Sequence, residues 1–308
     1  MGCPDYLTDV RPWIIAAVIL AFIIGDPGSF VADVVLVVLV LQITASMIGI
    51  QFKADLIRGM WREILLSVFF CFIVNSGLTI VCAYVFPSDD IGLFYGWIMI
   101  AATPCAVSCV TVALTMYGNR VLSVLGLAII YIVALFATPL ITTIFIGDAI
   151  SPLEILKYIF LFVAVPLLAT IPLNRFNIPR KPKAVFINLM MFILVMLSVA
   201  RNRDYFLDSV DIIGWIVLFA VFRTFVFGGV LLYIFRRIGT DRGNAIDYVS
   251  LSVWKNTGLA MSMSLILLPG MPQAAVPCAV CLLVEALWYA VNNSIVNRRW
   301  PPELKEDS

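Results

Sequence analysis

The sequence predicts an all-α polytopic membrane protein whose ten transmembrane helices form two inverted five-helix repeats. Three observations lead to this fold. Hydrophobic residues make up 62% of the 308 positions and charged residues 13%, whereas a soluble domain averages about 45–50% and about 25%. Clusters of charged and turn-forming residues divide the apolar positions into ten runs. The fourth and ninth runs occupy corresponding places in the two halves, and both are interrupted near the middle.

The ten apolar runs define spans 1 to 10, because a membrane helix needs about 20 apolar residues. The runs lie near residues 12–25, 29–51, 63–86, 91–117, 121–147, 152–173, 184–200, 209–235, 243–268 and 272–296. We expect one integrated bundle over residues 1–308 rather than several domains.

The basic residues indicate how the chain is oriented in the membrane. The segments on one side of the membrane hold only three basic residues, Lys157, Arg201 and Arg203. The segments after spans 2, 4, 6, 8 and 10 hold Lys53, Arg58, Arg62, Arg120, Arg175, Arg180, Lys181, Lys183, Arg236, Arg237, Arg242, Arg298, Arg299 and Lys305. The positive-inside rule therefore predicts an integral protein of the cell membrane, plasma or inner, with cytoplasmic N- and C-termini.

Composition also excludes several function classes. A formal net charge of +1 gives no indication of a nucleic-acid partner. The absence of histidine excludes histidine metal sites and Ser-His-Asp hydrolysis. Six cysteines lie in apolar runs, where thiols act as small apolar groups, and no zinc-binding spacing occurs. The sequence thus predicts no enzyme, no cofactor and no metal site, and the partners expected are the lipid bilayer and a small solute.

Spans 4 and 9 carry signals for a broken helix. Span 4 reads GWIMIAATPCAVSCVTVALTMYG, with Pro104 near its middle, and span 9 contains WKNTG, which ends at Gly258. Proline removes a backbone donor, while Asn-Thr-Gly offers side-chain hydrogen bonds and a flexible backbone. A matched pair of interruptions is typical of a transport site in inverted-repeat carriers. The alternative is that Pro104 only kinks a packed helix.

Three ionisable residues are expected well within spans: Arg223, Lys255 and Glu285. Arg223 and Lys255 each lie sixteen residues from Gly239, and Lys255 and Glu285 each lie fifteen residues from Gly270. All three can therefore share one depth, and Glu285 is a candidate counter-charge for Lys255 or Arg223. The group is either a structural ion pair or a charged site that takes up substrate or a proton. Arg223 alone could instead brace backbone carbonyls.

The sequence resembles the bile acid:sodium symporter family. The motifs that carry the resemblance are ATPCAVSCVTVALTMYGNRVLSV, ATPLI, WKNTGLAMSM and AVPCAVCLLVEALWYA. It implies that spans 4 and 9 cross near mid-membrane, with two sodium ions beside the crossing and an organic anion in an adjacent cavity. It also implies a core of spans 3–5 and 8–10, about 63–147 and 209–296. This core would move against a panel of spans 1, 2, 6 and 7, about 12–51 and 152–200.

Most positions of the family's first sodium site have lost their oxygen ligands here. Its span 4 Ser-Asn pair falls on Cys109 and Val110, and the acidic residue that opens its span 9 motif falls on Leu251. Of its span 5 hydroxyls, one is retained as Ser123 and the other falls on Leu127.

The second sodium site has gained a positive charge. Its span 9 glutamine falls on Lys255 and its span 3 glutamine near Phe72, while Asn256, Thr257 and Gly258 keep the rest of the motif. Because sodium needs several oxygen ligands, we predict that it binds at neither family site. The Lys255 ammonium is predicted to replace the second sodium. The alternative is a lysine that reaches an aqueous cavity without a role in turnover.

The leading hypothesis is a sodium-independent secondary carrier of a small organic anion, with Asn256 and the half-helix N-termini contacting the substrate carboxylate. A permanently charged Lys255 would suit a uniporter or exchanger, and a lysine that gives up its proton would couple transport to protons. The anion pocket differs from that of bacterial relatives, whose substrate-contacting threonine, histidine and asparagine fall on Val107, Glu285 and Ala286.

Two other functions remain open. Arsenical-resistance carriers share this fold and use a span 4 cysteine, so Cys105 and Cys109 keep arsenite efflux as an alternative, although the acidic residue expected in span 9 is absent. A non-transporting membrane sensor with the same fold would also explain the loss of sodium ligands. An intramembrane enzyme has the least support.

Overall fold

The computed structural model describes residues 5–28, 30–48, 58–110, 113, 116–147, 150–176 and 178–301, and these residues are predominantly helical. Within the first half, the helices are Asp5–Thr8, Val10–Ile24, Val31–Met47, Trp61–Phe69, Phe70–Asn75, Ser76–Val85, Ile91–Ala102 and Arg120–Ile146. In the second half they are Pro152–Ile159, Phe160–Ala164, Val165–Leu173, Arg180–Arg201, Arg203–Asp208, Val210–Val221, Phe222–Val226, Phe227–Arg237, Arg242–Val253, Thr257–Leu267, Pro272–Ala275 and Val276–Arg299.

In the part of the chain that the structure describes, five helices are long and apolar enough to cross a membrane, which supports an integral membrane protein. They are Trp61–Val85, Arg120–Ile146, Lys181–Arg201, Val210–Arg237 and Pro272–Tyr289. Four further apolar helices are shorter, at Pro12–Ile24, Val31–Met47, Ile91–Ala102 and Thr257–Leu267. Ten spans in two inverted repeats, with cytoplasmic termini, stay a prediction.

Among the described residues, three π-helical turns interrupt otherwise α-helical spans, and no pattern in the sequence predicts them. They occupy Phe70–Asn75 in span 3, Phe160–Ala164 in span 6 and Phe222–Val226 in span 8. Turns of this kind are often found at functional sites, because the extra residue shifts the direction in which side chains point. Those of spans 3 and 8 hold corresponding places in the two halves, and they carry Asn75 and Arg223.

Helix packing brings the broken spans together in the interior. Arg180–Arg201 packs against Val10–Ile24 and Val31–Met47. Ile91–Ala102 packs against Ser76–Val85, Arg120–Ile146 and Thr257–Leu267. Movement of a core against a panel stays a prediction.

Gly96 allows the first half of span 4 to approach the start of span 10. A Cβ atom added to Gly96 would lie 2.3 Å from the Ala274 carbonyl oxygen, whereas one added to Gly214 would meet nothing within 4 Å. Spans 4 and 10 therefore approach too closely for any side chain at residue 96.

We expect Gly96→Ala to lower the free energy of unfolding by about 1–3 kcal/mol, because overpacking forces the backbones apart. The matched control is Gly214→Ala, which places the same methyl group in open space and should not destabilise the protein. Thermal unfolding of both variants in detergent is the measurement. Equal melting temperatures for the two variants would contradict this close contact.

Candidate functional site

The centre of the candidate site is the point where the two broken helices meet. The first half of span 4 ends at Ala102, just before Pro104, and span 9 is interrupted between Val253 and Thr257. The Ala106 N–H donates to the Trp254 carbonyl at 2.9 Å, and the Asn256 N–H donates to the Pro104 carbonyl at 2.7 Å. These bonds form an antiparallel bridge between Cys105 and Lys255. Pro104 thus ends a helix rather than merely kinking it.

The bridge explains how two breaks can exist inside a membrane. No water is available in the hydrocarbon region, so every free backbone group there needs a protein partner. Each break supplies partners for the other. The crossing of spans 4 and 9 is therefore a structural unit that neither interruption could form alone.

Asn256 fixes the start of the second half of span 9. Its Oδ1 accepts a hydrogen bond from the Leu259 N–H at 3.0 Å, which makes it the N-cap of Thr257–Leu267. Its Nδ2 donates to the Tyr131 hydroxyl at 2.9 Å, which ties the break to span 5. Gly258 follows in the first turn, facing Leu194 of span 7. Asn256 therefore orients the half-helix whose N-terminus was expected to face substrate.

The Lys255 side chain is completely buried, and its ammonium has an oxygen for each of its three protons. Nζ donates to the Thr103 carbonyl at 2.8 Å, the Ser76 hydroxyl at 2.9 Å and the Ala101 carbonyl at 3.2 Å. The two carbonyls lie at the C-terminal end of Ile91–Ala102, where carbonyl groups lack helical partners and carry partial negative charge. The site is therefore built to hold a cation.

Two further neighbours complete the surroundings of the ammonium. Nζ lies 4.9 Å from the centre of the Phe72 ring and 3.8 Å from the Cys71 sulfur. An aromatic face attracts a cation through its quadrupole. Phe72 thus supplies no oxygen but still favours a positive charge. In the part of the chain described, no carboxylate forms a salt bridge with Lys255.

Arg223 and Glu285 form a buried ion pair beside the same break. The guanidinium donates directly to the Glu285 carboxylate, and both side chains are almost completely inaccessible. Arg223 also donates to the Val253 carbonyl at 3.3 Å, and Glu285 accepts from the Thr257 hydroxyl at 3.3 Å. The pair thus holds span 9 on both sides of Lys255. Glu285 was predicted to pair with either Lys255 or Arg223, and in the structure it pairs with Arg223.

The other predicted positions fall into two groups. Ser123 is buried and its hydroxyl donates to Asp247 Oδ1 at 2.7 Å. The positions predicted to have lost sodium ligands lie in the apolar core or pack against it: Phe72, Cys109, Val110, Leu127 and Leu251. Cys109 neighbours Cys105, which in turn neighbours Cys71. These five side chains offer no oxygen to a sodium ion.

Asp247 corrects the prediction that only three ionisable residues lie deep in the spans. It belongs to Arg242–Val253, inside the predicted span 9, and its side chain is fully buried. The signal was present, since Asp247 precedes Leu251 by four residues and so lies one helical turn away on the same face. The sequence analysis also did not predict that Tyr131, Ser76 and Thr103 belong to the site. Their residue types alone do not distinguish them from other polar positions in the spans.

Comparison with known proteins identifies the family of the chain. No curated protein matches the chain. A family model does match, over residues 13–299, and it describes transporters related to the bile acid:sodium symporters. This match spans nearly the whole chain and includes both broken helices. The chain therefore belongs to the SBF-like CPA transporter family.

Proposed function

We propose that this protein is a secondary transporter of a small organic anion that works by alternating access without sodium. The observation that carries the proposal is the Lys255 ammonium, which three protein oxygens enclose at the crossing of spans 4 and 9. In this proposal the lysine takes the place of the second sodium ion of the related symporters.

The surroundings of Lys255 offset the cost of placing a cation at this point. A lysine at mid-membrane costs about 2.5–3.5 kcal/mol on insertion scales. Hydrogen bonds to Thr103, Ala101 and Ser76, the negative end of a half-helix and the Phe72 ring all offset that cost. A tethered ammonium cannot leave with the substrate. A carrier built in this way has no second-site sodium to release and cannot draw on a sodium gradient there.

The arrangement of charges favours an anionic substrate. Arg223 and Glu285 neutralise each other, so the crossing retains the positive charge of Lys255. The nearby N-terminus of Thr257–Leu267 adds the positive end of a helix dipole. The Asn256 and Thr257 N–H groups at that terminus already donate to the Pro104 and Lys255 carbonyls, so a substrate carboxylate there would be attracted mainly by the helix dipole. These features together support a small carboxylate rather than a cation or a neutral solute.

Arsenite efflux is the second candidate, because the thiols of Cys71, Cys105 and Cys109 are neighbours in the interior. Trivalent arsenic binds thiolates, as soft ions do. Among the described residues, however, no three His, Cys, Asp or Glu side chains are arranged to hold a metal ion. Raised arsenite tolerance of cells that express the protein would favour this candidate over the organic-anion carrier.

We expect purified protein in proteoliposomes to take up at least one member of a panel of labelled small carboxylates equally well in sodium and in potassium buffer. The physical reason is that Lys255 already supplies the positive charge of the second sodium ion. In addition, the side chains at the positions predicted to have lost sodium ligands carry no oxygen. Empty liposomes are the control. Uptake that requires sodium would contradict the proposal, and a lack of uptake of any anion would favour a sensor.

Lys255→Gln should reduce this uptake by about tenfold to a hundredfold, because hydrogen bonds of a charged group contribute about 1.5–3 kcal/mol each. Lys157→Gln is the matched control, since Lys157 is exposed and far along the chain from the crossing. Thermal unfolding of both variants establishes that they are folded. A folded Lys255→Gln protein with normal uptake would show that the ammonium has no role in turnover.

A further inference from the structure

The last turn of span 8 carries two neighbouring arginines that the candidate site does not use. Arg236 and Arg237 are the final residues of Phe227–Arg237, at the end of the span that is predicted to face the cytoplasm. Both side chains are exposed. Among the described residues, no carboxylate forms a salt bridge with either of them. Two positive charges are therefore available where this span leaves the membrane.

An aromatic ring lies against each of the two guanidinium groups. The guanidinium carbon of Arg236 lies 5.8 Å from the centre of the Trp300 ring, and that of Arg237 lies 5.1 Å from the centre of the Tyr233 ring. Arg237 Nε also donates to the Tyr233 hydroxyl at 3.0 Å. When arginine stacks on a ring, the N–H groups at the edge of the guanidinium can still donate to an acceptor. The rings thus restrict the two side chains without using up their donors.

One face of the same helix is apolar and exposed up to the arginines. Residues at spacings of three and four positions lie on one face of a helix. The exposed residues of this face are Val230, Tyr233, Ile234 and Arg237. Phe235 lies on another side of the helix, where it is buried and packs against the Tyr248 ring. The exposed face is therefore an apolar strip, made of Val230, Tyr233 and Ile234, that ends at a positive charge.

This combination of charge and apolar surface matches an anionic phospholipid. The phosphate group of such a lipid accepts hydrogen bonds from arginine, often from two N–H groups at once. Its acyl chains run into the membrane, along the direction in which the apolar strip extends from Arg237 to Val230. Anionic lipids of the cytoplasmic leaflet attract basic residues next to a membrane helix. A free phosphate ion would contact the arginines but would leave the apolar strip uncovered.

We propose that the last turns of span 8 bind an anionic phospholipid, whose phosphate group contacts Arg236 and Arg237 and whose acyl chain covers the apolar strip. The lipid fixes this end of span 8 at the membrane surface. The same span carries Arg223, which holds span 9 through Glu285 and the Val253 carbonyl. Lipid binding thus steadies a helix that supports the crossing. It does not depend on the proposed transport of an organic anion.

Native mass spectrometry of the purified full-length protein counts the lipids that it binds. The protein in detergent is titrated with dioleoyl-phosphatidylglycerol or with dioleoyl-phosphatidylcholine, which has the same acyl chains and a phosphate group but no net charge. The variants are Arg236→Gln, Arg237→Gln and the double variant. Arg175→Gln is the matched control. Arg175 is exposed and predicted to lie on the same side of the membrane, and no ring of the described residues stacks on it.

We expect the wild type to bind phosphatidylglycerol about tenfold more tightly than phosphatidylcholine, or more. Each single substitution should weaken phosphatidylglycerol binding by about fivefold, and the double variant should lose about twenty-five-fold, because each basic residue near an anionic lipid contributes about that factor. Arg175→Gln should bind both lipids as the wild type does. Melting temperatures establish that every variant is folded.

A competition experiment separates the lipid from a free anion. An excess of glycerol phosphate should not displace bound phosphatidylglycerol, because the acyl chain contributes to binding. Complete displacement would overturn the proposal and identify a site for small phosphates. Equal binding of the two lipids by the wild type, or a preference for phosphatidylglycerol that survives in the folded double variant, would overturn it as well. Anion uptake is measured separately in proteoliposomes, so this proposal and the proposed function fail independently.

Discussion

The rest of the structure depends on one constraint, which is that backbone groups at a helix break inside the membrane must find partners within the protein. Pro104 and the Asn-Thr-Gly segment free such groups in spans 4 and 9, and the bridge between Cys105 and Lys255 pairs them with each other. This pairing directs the Lys255 side chain to the C-terminal end of Ile91–Ala102. Carbonyl groups that the break leaves without helical partners thereby become ligands for an ammonium.

The buried charges are distributed so that each has a different environment. Arg223 and Glu285 neutralise each other and hold span 9 on both sides of the break. Lys255 is held by neutral oxygens, and Asp247 has one oxygen without a partner. A structural ion pair, a lysine held by neutral oxygens and a buried acid are therefore three separate elements.

The sequence predicted the features that act locally. Proline and Asn-Thr-Gly weaken a helix locally, so both interruptions were foreseen, and equal spacing from Gly239 and Gly270 correctly brought the three charges to one region. The choice of Arg223 as partner of Glu285 was not predictable, because Arg223 lies in a π-helical turn, which changes the direction of its side chain from that expected for an α-helix. Asp247 was overlooked although its spacing from Leu251 was visible. The domain division, sodium independence and substrate stay proposals.

The most direct test of the central claim is chemical rescue of Lys255→Ala in proteoliposomes. Removing the side chain leaves the oxygens of Ser76, Ala101 and Thr103 facing an empty space. If the ammonium replaces a bound cation, anion uptake by this variant should be lost in choline buffer and recovered when Na⁺ or methylammonium is added. Uptake by the folded variant that equals the wild type in choline, or that no added cation restores, would contradict the account.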